Sequence, residues 1–109
     1  MPKYLIERNL PGAGEWSPAE LAAESQKSCR ALHSFGSRVQ WMQSYVTSDK
    51  IYCIYVAPSE GLIREHARLA GFPVSHIAEI KAVIDPATSE VAPPERERVR
   101  DYAKEAGVY

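Results

Sequence analysis

A hairpin in the middle of the chain constrains its fold more than any other feature. The stretch VQWMQSYVTSDKIYCIYV, residues 39–56, reads as two alternating strands joined by a turn at SDK. Strict alternation predicts two sets in the first strand: Val39, Trp41, Gln43 and Tyr45 against Gln40, Met42, Ser44 and Val46. In the second strand it sets Ile51, Cys53 and Tyr55 against Tyr52, Ile54 and Val56. Both faces are largely apolar, so we expect helices to cover one face and a partner subunit the other.

The remaining elements complete a split βαβ pattern. A β-rich run from Lys3 to Leu10 comes first, with Tyr4, Ile6 and Arg8 on one face and Leu5 and Glu7 on the other. A helix follows Ser17 and ends at Gly36, a second runs from Ser59 to Gly71, and a last strand extends from His76 to Pro86. The order βαββαβ predicts an α+β, ferredoxin-like fold, with an antiparallel sheet, both helices on one face and a dimeric barrel-type assembly.

The two predicted helices differ in their buried faces. The stripe of the first is Leu21, Ser25, Ser28, Leu32 and Phe35. Its serines are small enough to let the helix approach the sheet closely. The apolar face of the second is Leu62, His66, Leu69 and Ala70. A histidine therefore points at the sheet.

Composition narrows the function classes. The chain has 109 residues and a formal net charge of −1, which fits one domain and gives no sign of a nucleic-acid partner. No apolar run approaches membrane-spanning length, and the N-terminal stretch turns charged too early for a signal peptide, so we expect a cytoplasmic protein. Residues 1–86 form the predicted domain, and residues 87–109 an extension with a short helix. Cys29 and Cys53 are expected to be free thiols.

The histidine of the second helix is the first candidate for chemistry. His66 could act as a base or a metal ligand in a pocket between helix and sheet, opposite Glu7, Tyr45 or Cys53. Trp41 could line the same pocket and hold a flat apolar ligand. The alternatives are a buried neutral histidine with one hydrogen bond, and aromatic residues that only form core or interface.

Metal ligation has further candidates. Cys29 and His33 lie four residues apart on the first helix, so they share a face and could coordinate a soft metal ion together with a third ligand. His76, at the start of the last strand, is another possible donor, although an exposed loop histidine explains it as well. The sequence contains no phosphate-binding glycine loop, nucleophile elbow or HExxH motif, so enzymatic activity stays open.

Four stretches together resemble a known family: YLIER, SQKSCRAL, QWMQSYVTSDKIYCIYVAPSEGLIREHARLAGFP and EIKAVIDP, within residues 3–86. They are similar to the DUF4242 family, small bacterial proteins described as nickel-responsive or nickel-binding. The resemblance implies a ferredoxin-like subunit, a homodimer and nickel bound at the protein surface. It strengthens the case for a histidine ligand among His33, His66 and His76, with Cys29 as a thiol donor.

Three hypotheses of function follow. The first is a cytoplasmic, homodimeric metal-binding protein that takes nickel. The alternative is a small-molecule enzyme or ligand-binder around His66, of the cofactor-free oxygenase, isomerase or cyclase type that dimeric ferredoxin-like folds host. In that alternative His66 is the base, Tyr45 a proton donor or orienting group, and Glu7 its partner. An interaction module that recruits another protein is a third option.

Overall fold

The predicted order of elements is confirmed. The structure, a computed structural model, describes residues 1–90. Its strands and helices are β1 (Lys3–Asn9), α1 (Pro18–Leu32), β2 (Gln40–Val46), β3 (Lys50–Val56), α2 (Glu60–Ala70) and β4 (His76–Ile80). Short 3-10 helices lie at Ala13–Glu15, His33–Phe35 and Pro86–Glu90. The fold is α+β and ferredoxin-like, as the sequence indicates.

The strands form one antiparallel sheet in the order β2-β3-β1-β4. Both helices cover the same face, because Ser28 of α1 and His66 of α2 each contact Tyr55 of β3. The core lies between this face and the helices. It contains Tyr4, Ile6, Phe35, Val39, Cys53, Tyr55, Ile63 and Ile77.

Both helices begin and end where the sequence predicts, within a few residues. Ser17 Oγ accepts a hydrogen bond from the Glu20 amide, and the Glu20 carboxylate accepts one from the Ser17 amide, which completes a capping box. Ser59 caps α2, and Gly71 ends it at φ 77°. This left-handed conformation favours glycine, so the backbone can turn directly into the loop before β4.

A β-bulge in β2 changes the predicted faces of that strand. Trp41 pairs with Tyr55 and Gln43 with Ile54, which leaves Met42 as the extra residue. Beyond the bulge Ser44 lies on the helix-covered face with Trp41, whose indole Nε1 donates to Ser44 Oγ at 2.9 Å. Tyr45 consequently lies on the opposite face. The prediction of uninterrupted alternation, with Trp41 and Tyr45 on one side, is wrong.

The buried face of α2 is rotated from the predicted one. Ile63, His66 and Ala67 are buried, whereas Leu69 is 48% exposed. His66 belongs to both sets and points at the sheet as expected. The predicted face was therefore correct at its centre and wrong at its Leu69 edge.

The last strand is shorter than predicted. β4 ends at Ile80, which pairs with Lys3, the first residue of β1. Pro2 directly precedes β1 and has no N–H to donate, so the ladder does not extend past Lys3. Val83 and Ile84 are accordingly exposed. The helix expected in the C-terminal extension falls mainly among residues 91–109, outside the described residues, so it stays a prediction.

Candidate functional site

A cavity of about 330 Å³ lies between α1 and the helix-covered face of the sheet. Its volume is at the small end of the range of ligand pockets. Its walls are mainly apolar and include both tryptophans of the chain. Six of these wall residues are Trp16, Leu21, Trp41, Ile51, Tyr55 and Phe72. The cavity can therefore hold a small, largely apolar molecule.

A buried arginine lines this cavity. Arg8 is only 2% exposed, on the central strand β1. Its Nη1 donates to the Pro73 carbonyl at 2.8 Å, its Nε lies 3.4 Å from Cys53 Sγ, and its guanidinium sits 5.1 Å from the centre of the Phe72 ring. Within residues 1–90, Nη2 has no hydrogen-bond partner and no carboxylate forms an ion pair with Arg8.

A short polar network adjoins the arginine. Tyr55 Oη and Ser28 Oγ lie 3.1 Å apart, and His66 Nε2 lies 3.3 Å from the Ser28 carbonyl oxygen. Burial raises the pKa of Tyr55, so its phenol keeps its proton at neutral pH. Ser28 and Tyr55 both line the cavity, and they can offer neutral hydrogen bonds to a ligand.

His66 is fully buried behind this network. Its ring packs 5.1 Å from the Tyr55 ring and meets the edges of Phe35 and Phe72. Burial lowers the pKa of His66, and the positive charge of Arg8 lowers it further, against the opposite effect of the Ser28 carbonyl. The imidazole is therefore neutral at physiological pH. Its Nδ1 has no hydrogen-bond partner among the described residues.

The sheet separates the predicted pocket residues into two groups. Trp41 and Cys53 line the cavity, and His66 contacts its lining. Glu7 and Tyr45 lie on the opposite face, where each pairs in register with Tyr52. Their assignment to one pocket with His66 is corrected, because the pleat of β1 turns Arg8 rather than Glu7 toward the helices and the bulge turns Tyr45 away.

The missed residue of this site is Arg8. Its alternation with Tyr4 and Ile6 was visible in the sequence and placed it on the apolar face. Glu7 instead accepts a hydrogen bond from Lys50 at 2.9 Å, and this contact lowers the pKa of the Glu7 carboxyl. The carboxylate is thus engaged on the open face of the sheet.

The four predicted metal ligands do not form a single site. Cys29 and His33 are exposed near the C-terminal end of α1, His76 is exposed at the start of β4, and His66 is buried. In the part of the chain that the structure describes, no three His, Cys, Asp or Glu side chains are grouped to hold a metal ion. Cys29 and His33 remain a two-donor pair, and the described cysteines are free thiols.

This geometry defines the class of protein: a ferredoxin-like α+β domain with a small apolar cavity under its helices and an open opposite sheet face. The chain belongs to the family described as nickel responsive protein SCO4226-like, whose model matches residues 4–80. Among solved structures it is similar to SCO4226 from Streptomyces coelicolor A3(2). The two are 18% identical with a TM-score of 0.65, over 75% of this chain and 99% of that chain.

At that identity the structural likeness concerns the fold. The search of curated proteins gives no match. Within residues 1–90, no helix is long and apolar enough to cross a membrane.

Proposed function

We propose that this chain is a cytoplasmic, homodimeric nickel-binding protein of the DUF4242 type. Membership of a family described as nickel responsive supports the choice of metal. The two free thiols fit a reducing compartment. The single observation that carries the proposal is the exposed pair of soft donors, Cys29 and His33, on one helical face.

The pair has the spacing that shared ligation needs. His33 keeps helical dihedral angles, φ −56° and ψ −29°, so the four-residue spacing from Cys29 stays helical. Side chains at this spacing lie about 5–6 Å apart at Cβ and can converge on one ion. Imidazole suits nickel, and a thiolate is a soft ligand for transition metals. The pair would supply two positions of the coordination shell, and water or a second copy would supply the others.

Nickel titration by calorimetry of the metal-free protein tests this site. We expect Cys29→Ala and His33→Ala each to weaken nickel binding by at least about tenfold, because loss of one of two protein ligands removes much of the affinity. His76→Ala, which removes an exposed histidine on another element, is the matched control. Unchanged binding in both α1 variants would exclude this pair. A loss confined to His76→Ala would move the site to the sheet.

The proposal of a homodimer is supported by the apolar residues on the open face of the sheet. Its apolar residues include Leu5, Ile54, Val56 and Ile80, all half-buried in the single chain. Antiparallel sheets that face water carry polar residues on that side, whereas this face has an apolar centre. A second copy that presents the same surface would cover it.

Ile54→Lys places a charge on that face. We expect the variant to sediment as a monomer at micromolar concentration in analytical ultracentrifugation, where the unmodified protein sediments as a dimer, because burying the ammonium would be costly. Leu69→Lys makes a similar change on the exposed side of α2 and should leave the dimer intact. A monomeric unmodified protein, or a dimeric Ile54→Lys variant, would refute this interface.

As a second function, we propose that the cavity beside His66 holds a small molecule. The supporting observation is a volume of about 330 Å³ with mainly apolar walls and a few polar groups, including Arg8, Ser28 and Tyr55. The sequence left open an enzyme or a ligand-binder around His66, and the geometry of the site favours the ligand-binder. Tyr45 and Glu7, the proposed helpers of His66, lie across the sheet from it.

A further inference from the structure

We infer that the cavity binds a small organic monocarboxylate, with its carboxylate against Arg8 and its apolar body against the aromatic walls. This inference rests on the second proposed function, ligand binding in the cavity. It adds the charge and the chemical class of the ligand.

The guanidinium of Arg8 carries the argument. A buried charge is costly unless an opposite charge or a full set of hydrogen bonds compensates it. Arg8 has two neutral partners, the Pro73 carbonyl and the Cys53 sulfur, and its Nη2 has none among residues 1–90. Neutral acceptors leave the positive charge in place. Arg8 lines the cavity, so a carboxylate bound there would supply the opposite charge, and a small shift of the buried guanidinium would bring Nη2 within hydrogen-bonding distance of it.

The other charged groups of the lining do not replace such a ligand. Glu24 also lines the cavity, but its carboxylate pairs with Lys27 at 3.0 Å. The Lys27 ammonium in turn lies 5.4 Å from the centre of the Phe72 ring. Since Glu24 and Lys27 balance each other, the lining residues within 1–90 keep one positive charge in excess, that of Arg8. This excess matches a ligand with a single negative charge.

A carboxylate fits this setting better than a phosphate. It carries one charge at neutral pH and matches the planar guanidinium geometry, whereas a phosphate monoester would bring a second charge among apolar walls. Trp16, Trp41 and Phe72 offer flat apolar surfaces for the rest of the molecule. The small volume restricts that body to about the size of one aromatic ring with a short chain.

Phenylacetate is the probe, and its neutral amide, phenylacetamide, is the matched control ligand. Both tryptophans line the cavity, so intrinsic fluorescence reports directly on its occupancy. We expect saturable binding of phenylacetate with a Kd below about 1 mM, and binding of the amide at least about tenfold weaker. All titrations are made in EDTA, so the outcome is independent of nickel binding.

Two variants test the role of the Arg8 charge and the position of the bound ligand. Arg8→Gln should weaken phenylacetate binding by at least about tenfold, whereas Arg30→Gln, which removes the same charge from the exposed side of α1, should not change it. Ser25→Phe, which fills the cavity and keeps Arg8, should abolish binding in calorimetry. If Arg8→Gln does not fold, Ser25→Phe still tests the location of binding, and the comparison of acid with amide still tests the charge.

The outcomes separate the two proposals. Equal binding of acid and amide, or unchanged binding by Arg8→Gln, overturns the anion assignment and leaves ligand binding standing. Binding that survives Ser25→Phe places the acid elsewhere and overturns the inference. Failure of both the acid and the amide to bind overturns the inference and the second proposed function together.

Discussion

Ile63→Ala is expected to lower the free energy of unfolding by about 2–5 kcal/mol, the usual range for truncating a fully buried isoleucine. Ile63 has no exposed surface and packs in the core between α2 and the sheet. The truncation removes apolar contact and leaves a void that rigid neighbours fill only in part. A domain of this size is stable by about 5–15 kcal/mol, so the loss is a large fraction of the total.

Leu69→Ala is the matched control for this prediction. It shortens a branched aliphatic side chain on the same helix, but Leu69 is 48% exposed, so the expected change is within about 0.5 kcal/mol. Urea unfolding at one fixed protein concentration measures both variants. Equal losses, or a larger loss for Leu69→Ala, would contradict the observed rotation of α2.

The same pair of residues shows what the sequence can predict about a helix. Capping residues and the 3.6-residue period indicate where α2 lies, and His66 is common to both possible buried arcs. The choice between Leu69 and Ile63 at the arc's edges depends on how the helix rolls on the sheet. That roll is set by tertiary packing, which one sequence does not contain.

The strands show a similar division. Alternation predicts β1 and β3 correctly because both are regular. In β2 the extra residue Met42 and the hydrogen bond between Trp41 and Ser44 interrupt the pattern, and alternation carries no signal for a bulge. In β4 the pattern continues beyond Ile80, but the neighbouring strand does not. The length of a strand therefore depends on its partner.

The candidate site was predictable only in part. The serines of the first helix predicted a close approach to the sheet, and Ser28 does contact Tyr55 and His66. Alternation placed Arg8 on the correct face. Arginine is almost never fully buried, so the sequence indicated His66 and Glu7 as pocket residues rather than Arg8. A cavity is a gap between packed elements, so its volume cannot be read from any one of them.

His66 should make stability depend on pH. Its pKa in the folded chain is lowered from the ordinary value of 6.5, because the ring is buried and the Arg8 cation on β1 is near. The phenol of Tyr55 on β3, which packs against the ring, is neutral. Below pH 6.5 His66 is protonated in the unfolded chain but stays neutral in the folded chain. The free energy of unfolding therefore falls with decreasing pH, by up to about 1.4 kcal/mol per pH unit, until the folded pKa is reached.

Urea unfolding between pH 7.5 and about pH 5.5 measures this slope, a range in which glutamates with an ordinary pKa of 4.5 stay largely ionised. We expect His66→Gln to flatten the slope, because the amide can still donate toward the Ser28 carbonyl but does not titrate. His33→Gln, which removes an exposed histidine, should keep the slope of the unmodified protein. The test depends on slope rather than absolute stability, so it holds even if His66→Gln destabilises the core. An unchanged slope in His66→Gln would show that another group takes up the proton, and the buried neutral imidazole beside Arg8 would lose its support.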